Sequence, residues 1–439
     1  MTLPPPEIRR ARRARWLMLA VPAAIYFVSY FHRVAPAVVA ADLMRAFAVT
    51  AADLGTLAAI YPYVFVVMAL VAGTLVDTLG SRLTLVLGGT AMGAGAVVFG
   101  LAPVFAVAVT GRLAVGLGAS VVLIAFLALA AEWFRPDEFA TVSGLSQTVG
   151  NLGGLVAASP LALLVEAIGW RRSFVLIGVV TCFLGLLALL AVRDRPEALQ
   201  PSRPRALGLG EVVRGIPAVL DNARTWPPIV AAGGIYATLI SFLGLWGVPY
   251  LVQVYGLSRV RAATLVSAIA VGVVGGSPLA GWISDRWLGV RRLPFVVSAA
   301  LYAACWLPLV IPAWRPPVEL LAPLFFVMGL TSCGLVLVWS CVREVNDPSR
   351  VGIVVGFCNM PIFLLFAVLQ WLTGAILDVG WTGSIVDGMR FYPVSAWTAA
   401  FGVCLVIALI AVAAAIRITE TRCRNVWAGG ATAVGSSAQ

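Results

Sequence analysis

Apolar side chains run along this chain in long stretches, not at the alternating spacing of half-buried strands. Bounded by charges or by Pro and Gly, the stretches predict twelve helices: 16–38, 54–76, 83–104, 107–133, 139–165, 172–192, 229–253, 262–284, 293–314, 317–342, 350–377 and 393–417. Each reaches the ~20 residues needed to cross the hydrocarbon core of a bilayer. Most connections are short, which predicts antiparallel neighbours. The exception, 193–228, carries six arginines with Pro196, Pro201 and Pro204 and reads as a linker. The predicted organisation is a basic tail 1–15, a six-helix bundle 16–192, the linker 193–228, a second six-helix bundle 229–417 and a tail 418–439. The fold class expected is an all-α membrane protein of twelve transmembrane helices in two bundles.

Composition sharpens this. Of 439 residues, 61% are hydrophobic and 11% charged, against ~25% charged in a soluble domain. That excludes a soluble fold, and it excludes disorder, which needs an apolar-poor chain. The net charge is +11, and all 30 basic residues are arginine. In a soluble protein such a balance points to nucleic acid; here the arginines sit mostly in loops and set topology. With the N-terminus placed in the cytoplasm, 21 arginines fall on inside segments, seven on outside loops and two within spans. The bias follows the positive-inside rule and predicts both termini in the cytoplasm. Removing one span would erase it, which supports the even count.

The arginines before the first run resemble the start of a secretory signal, and Val39-Ala40-Ala41 offers a weak cleavage site. Tyr30-Phe31-His32-Arg33 interrupts the run, however, so it is read as the first span. The seven cysteines include no C-x-x-C, and His32 is the single histidine, so no metal or haem site is expected. No glycine-rich loop ends in lysine, so ATP drive has no support.

An internal repeat divides the chain. Gly73-x-x-x-Asp77-x-x-Gly80-x-Arg82 follows the second span. Gly281-x-x-x-Asp285-Arg286-x-x-Gly289-x-Arg291-Arg292 follows the eighth, with its first Gly and its Asp offset by 208 residues and one extra residue before the later glycine. Pro136 and Gly144 are echoed by Pro348 and Gly356, and Gln147 by Asn359. Two echoes in matching places predict a duplicated six-helix unit.

On these loop residues the sequence resembles the major facilitator superfamily of secondary transporters, and Arg112-x-x-x-Gly116-x-Gly118 is similar to its fourth-helix pattern. The resemblance covers nearly the whole chain. It implies two pseudo-symmetric bundles that rock around a midplane site, working as a monomer. It also implies that Gly73, Asp77, Gly80 and Arg82, with Gly281, Asp285, Arg286 and Arg291, form a gate in which Asp77 and Arg82 bridge to the other half. The alternative is a turn that merely orders adjacent helices. The family's antiporters carry a Gly-Pro-rich fifth helix. Here Gly150-Asn151-Leu152-Gly153-Gly154 has no adjoining proline, which tilts away from drug:proton antiport.

Charges within a span are costly and point to function. Arg33 and Arg112 are expected at comparable depth, with Arg112 the better placed. Two unpaired guanidinium forks facing one cavity attract an anion; pairing with backbone carbonyls or Asp42 is the alternative. His32 is the side chain in the spans that titrates near neutral pH, a candidate for proton coupling. Phe31-His32-Arg33 resembles the Asp-Arg pair of organic-anion:proton symporters, with histidine in place of the acid. Adjacent residues point ~100° apart on a helix, so His32 and Arg33 cannot both face the centre. Tyr30, Tyr61, Gln147, Asn151, Tyr236, Trp246 and Asn359 are candidate cavity-lining residues, with helix packing as the competing reading for each. Arg343-Glu344 reads as an ion pair or gate in the second half.

The expected function is secondary active transport of a small anionic organic solute across the cytoplasmic membrane by alternating access, with a co-transported proton. The alternative is a proton-antiporting exporter of a drug, siderophore or metal chelate. Neither enzyme chemistry, a resident cofactor nor a nucleic-acid partner is expected.

Overall fold

The computed structural model describes residues 6–69, 71–134, 136–194, 217, 219–311, 315–348, 351–386 and 388–427. Helices occupy all twelve expected places. Span 1 runs Pro6–Val34 and Pro36–Phe47, and span 2 begins at Ala51–Met68. Ala72–Leu101 holds the end of span 2 and all of span 3. Span 4 is Phe105–Trp133, span 5 Pro136–Val156 with Ser159–Ile168, and span 6 Trp170–Ala191. In the second half, span 7 passes through Trp226–Ser241, Phe242–Trp246 and Gly247–Tyr255. Span 8 is Arg259–Trp282 with Ile283–Leu288, and span 9 is Arg292–Ala304 with Leu307–Val310. Span 10 extends from Val318–Thr331 to Val338–Glu344, span 11 is Val351–Val379 and span 12 Val394–Ile416.

Some expected boundaries change. Residues 6–15 of the expected basic tail continue the first helix, because arginine is a good helix former and nothing there breaks it. Span 1 does not stop at residue 38 but bends by 50° and continues to Phe47. Proline at position 36 has no N–H to offer the preceding turn, which is the cause of such bends. Most of the linker, residues 195–216 and 218, lies outside the described residues, as do 428–439 of the C-terminal tail.

Local chemistry fixes the turns. Thr50 and Asp53 form a reciprocal capping box that starts span 2, with bonds of 3.1 and 2.9 Å. Spans 2 and 3 are separated at Gly80, whose φ of +82° and ψ of +161° suit only glycine. In the second copy of this loop, the extra residue is taken up by a π-helical turn over Ile283–Leu288, which ends at Gly289 with φ +63°. A π-turn holds one more residue per hydrogen-bonded ring than an α-turn.

The two halves are packed differently. Glycine seams weld the first: a methyl added to Gly93 or Gly178 would stand 2.6 or 2.7 Å from the other's carbonyl oxygen. Close backbone approach of this kind drives helix association in lipid. Aromatic rings fill the second, where Phe242 touches Trp306, Phe325 and Phe401 at centroid distances of 5.7, 5.3 and 5.4 Å. Between the halves, span 2 lies on span 11, with Gly55 against the backbone of Gln370 and Trp371. Span 5 meets span 8 through Ser159 and Thr264, 2.8 Å apart. Large apolar side chains such as Leu190, Val179, Phe183 and Ile410 remain exposed on the outer wall, as a lipid-facing surface requires.

Candidate functional site

Span 1 places Tyr26, Tyr30 and Arg33 on one helical face, at spacings of four and three residues. Tyr61 and Phe65 of span 2 repeat that spacing. Span 7 adds Tyr236 and span 11 adds Phe363. These converge on the Arg33 guanidinium, which is 7% exposed. Its Nη1 donates to the Tyr236 hydroxyl at 2.9 Å. Its carbon lies 4.3 Å from the Tyr30 ring centre, 5.5 Å from Tyr61 and Phe65 and 5.6 Å from Phe363. The Phe65 and Phe363 rings are parallel to within 5°, at 5.2 Å, and join the two halves beneath it. Gly150 of span 5 backs the tyrosines, leaving 2.9 Å between its would-be methyl and both the Tyr26 and Tyr30 rings.

Arg112 is also buried against Tyr61, with its guanidinium carbon 5.0 Å from that ring centre. Its Nη1 donates to the carbonyl oxygen of His32 at 2.6 Å. Among the described residues, neither Arg33 nor Arg112 pairs with a carboxylate, and the Nε of each lacks a hydrogen-bond partner. Aromatic faces offset part of the cost of burying these cations, but the positive charge is not neutralised. This reverses the expected ranking of the two arginines. Arg33 is the one ringed by side chains from both halves, while Arg112 is engaged by backbone.

The other expected residues divide. Tyr30, Tyr61 and Tyr236 belong to the arginine site. His32 does not: it is fully buried beside Phe31, and both ring nitrogens lack partners. Trp246 packs on Trp397 at 6.1 Å within the aromatic core of the second half, and Asn359 bonds back to the Val355 carbonyl at 3.2 Å. Asn151 is half-buried next to Gly150. The side chain of Gln147 lies outside the described residues. Phe65 and Phe363 are missed by sequence reasoning, because nothing distinguishes them from aromatics that simply pack.

The loop residues form their own networks. Arg82 turns into its own half, its N–H donating to Asp194 at 2.7 Å and its Nη2 to the Leu189 carbonyl, so it does not bridge the halves as expected. Asp77 is exposed, and Gly73 and Gly281 have open space around them. In the second half Arg291 is buried and bonds Glu344 through Nη2 at 2.7 Å, as well as Asp285 and Ser284. The expected Arg343–Glu344 pair is therefore corrected to Arg291–Glu344. Neighbours ~100° apart on a helix cannot share a partner face, and Arg343 points outward with Arg286. Glu420 then accepts the backbone N–H groups of Arg291, Arg292 and Arg422 at 2.8–3.1 Å. Burial alone would raise its pKa, but these donors outweigh burial and hold it below the usual glutamate range. For Arg291, burial likewise opposes the charge, and the Glu344 and Asp285 carboxylates more than compensate, raising its pKa.

Among the described residues, bonds between mid-depth and the opposite face tie one half to the other, including Arg33–Tyr236, Ser159–Thr264, Ala51–Tyr392 and Arg259–Asp42 at 2.8 Å. Asp378 adds contacts to the start of span 2. A cavity of about 580 Å³ at that face, lined by Gly100, Arg171, Arg172 and apolar neighbours, lies apart from the arginine site.

A family model described as Major Facilitator Superfamily matches residues 23–360 and again 248–431. The Membrane sensor protein UhpC of Salmonella typhimurium is 25% identical over 383 residues, covering 82% of this chain and 84% of that protein. The Hexuronate transporter of Bacillus subtilis is 23% identical over 370 residues, covering 80% and 85%. The crystal structure of a bacterial homolog of the human lysosomal transporter Spinster, inward-facing and unoccupied, superposes with a TM-score of 0.75 at 18% identity, covering 92% of this chain and 96% of that one.

Proposed function

Because this chain belongs to the major facilitator superfamily, and so is a multi-pass membrane transporter and not an enzyme, we propose that its cargo is a small organic anion, a sugar acid or a related carboxylate or sulfonate. The observation that carries this is Arg33: a buried, uncompensated guanidinium at the junction of spans 1, 2, 7 and 11, touched from both halves. A charge kept there without a carboxylate needs a partner that arrives from outside. Tyr30, Tyr61 and Tyr236 offer rings for the carbon skeleton and hydroxyls for its polar groups. The hexuronate carrier among the relatives agrees with that chemistry.

The arginine bias supports a cytoplasmic position for the Gly80 and Gly289 loops, in a cell whose inner membrane holds the protein. On this reading the inter-half bonds close the external side, and the state is inward-facing. Coupling to a proton rests on His32. Its ring nitrogens lack partners in this structure, and on this reading it is protonated where alternating access lets water reach span 1, since coupling requires a group whose surroundings differ between states. A proton-antiporting exporter remains the second reading.

The test is uptake of labelled galacturonate into proteoliposomes under an inward proton gradient. The anion reading expects saturable uptake, competition by other sugar acids and sulfonates but not by galactose, and loss in Arg33→Ala. Uptake indifferent to Arg33, or equal transport of the neutral sugar, removes it.

A further inference from the structure

We propose that Arg112 is a positioning residue of the anion site and not a ligand to the anion: it caps the carbonyl that Pro36 leaves without a donor and thereby sets the bend that presents Arg33. The inference rests on the reading of Arg33 as the counter-charge of the cargo.

In an α-helix the carbonyl of residue i accepts the N–H of residue i+4. For His32 that residue is Pro36, which has none. The ladder is intact one step earlier, where Ala35 N–H reaches the Phe31 carbonyl at 3.0 Å. It fails at His32, and there Arg112 Nη1 arrives at 2.6 Å from span 4. The helix axis turns by 50° at this place, and the next residue is Arg33. A buried carbonyl without a donor is costly, and a charged donor is about twice as strong as a neutral one.

Span 4 is held close enough for this reach by Gly116, one turn beyond Arg112, whose would-be methyl stands 3.3 Å from Val64 and 3.5 Å from the Tyr61 backbone. Both guanidinium groups contact the Tyr61 ring, 5.0 Å from its centre for Arg112 and 5.5 Å for Arg33. With Arg112 committed to the backbone, one guanidinium is left for cargo. That matches the single charge of a carboxylate or sulfonate better than the double charge of a phosphate monoester.

The full-length protein tests this by a double-mutant cycle in melting temperature, which needs no cargo. Arg112→Met should melt a few degrees lower. Pro36→Ala, which returns an N–H to the ladder, should recover at least half of that loss in the double variant. Arg112→Lys keeps one donor and should stay near the parent. Strictly additive losses, or a lysine variant as unstable as the methionine one, overturn the proposal. Galacturonate uptake supplies the second readout. The double variant should regain transport and Arg112→Lys should hold KM within about threefold, whereas a direct bidentate ligand would lose both. If the parent protein carries no galacturonate, the anion reading suffers, while the melting cycle still decides the role of Arg112.

Discussion

Asp378, at the end of span 11, accepts the backbone N–H of Ala52, at the start of span 2, at 2.7 Å. The same carboxylate takes the N–H of Ala51 at 3.2 Å, and Arg390 and the Tyr392 hydroxyl hold it at 3.1 and 2.8 Å. One half of the molecule thus supplies the cap for a helix of the other. The first N–H groups of a helix have no partner within it and carry a partial positive charge, so under the proposed alternating access this carboxylate acts as a latch on the side that the inter-half bonds close.

Removing the latch should open that side. Caps contribute about 0.5–2 kcal/mol, or roughly 2- to 30-fold in an equilibrium. With cysteines at positions 159 and 264 as reporters, Asp378→Ala should slow oxidative crosslinking by a factor in that range. Unchanged crosslinking would show that the bond does not bias the two states.

The arginine site makes a prediction about selectivity. Truncating a buried charge that pairs with its ligand costs about 2–5 kcal/mol. Arg33→Ala should therefore lose about 30-fold or more in kcat/KM for a transported sugar acid. Tyr236→Phe, which removes one neutral hydroxyl, should change it only a few-fold, since such bonds contribute about 1 kcal/mol. Comparable losses in both would argue against charge recognition.

Stability should depend on pH through Glu420. Its folded pKa lies below the unfolded value near 4.3, so its contribution is full above that value and is lost as pH falls through the folded one. The difference in melting temperature between the parent and Glu420→Gln should be largest at pH 7 and shrink toward pH 4. A difference that grew on acidification would contradict the assignment.

The two loop glycines should tolerate a methyl unequally. At Gly80 the backbone has φ +82°, and a Cβ would meet the Asp194 carboxylate at 2.8 Å; at Gly289 φ is +63° and the space is open. Gly80→Ala should cost about 2–3 kcal/mol and Gly289→Ala about 1 kcal/mol, measurable as yield and melting temperature in detergent.

The spans were legible because a bilayer demands a run of apolar residues whatever their packing, and arginine placement orders the loops. The Gly80 turn was legible because few residues adopt its backbone. What escaped depends on depth and direction. Arg33 and Arg112 could be placed in spans, but not told apart, since Pro36 reads as a boundary until the orphaned His32 carbonyl is seen. Phe65 and Phe363 meet only across the interface. Arg343 and Glu344, adjacent in sequence, suggested a pair that helix geometry forbids, while the true partner, Arg291, lies on another span.

The wide turn over Ile283–Leu288 has a historical reading. An added residue inside a regular helix rotates everything beyond it by ~100° and sends each side chain to a new neighbour. Here the insertion is confined to one swollen ring, so the backbone N–H of Arg291 still meets a carboxylate just past span 12, Glu420, as that of Arg82 meets Asp194 just past span 6. Two descendants of one ancestral segment could thus drift apart in length without losing their common layout.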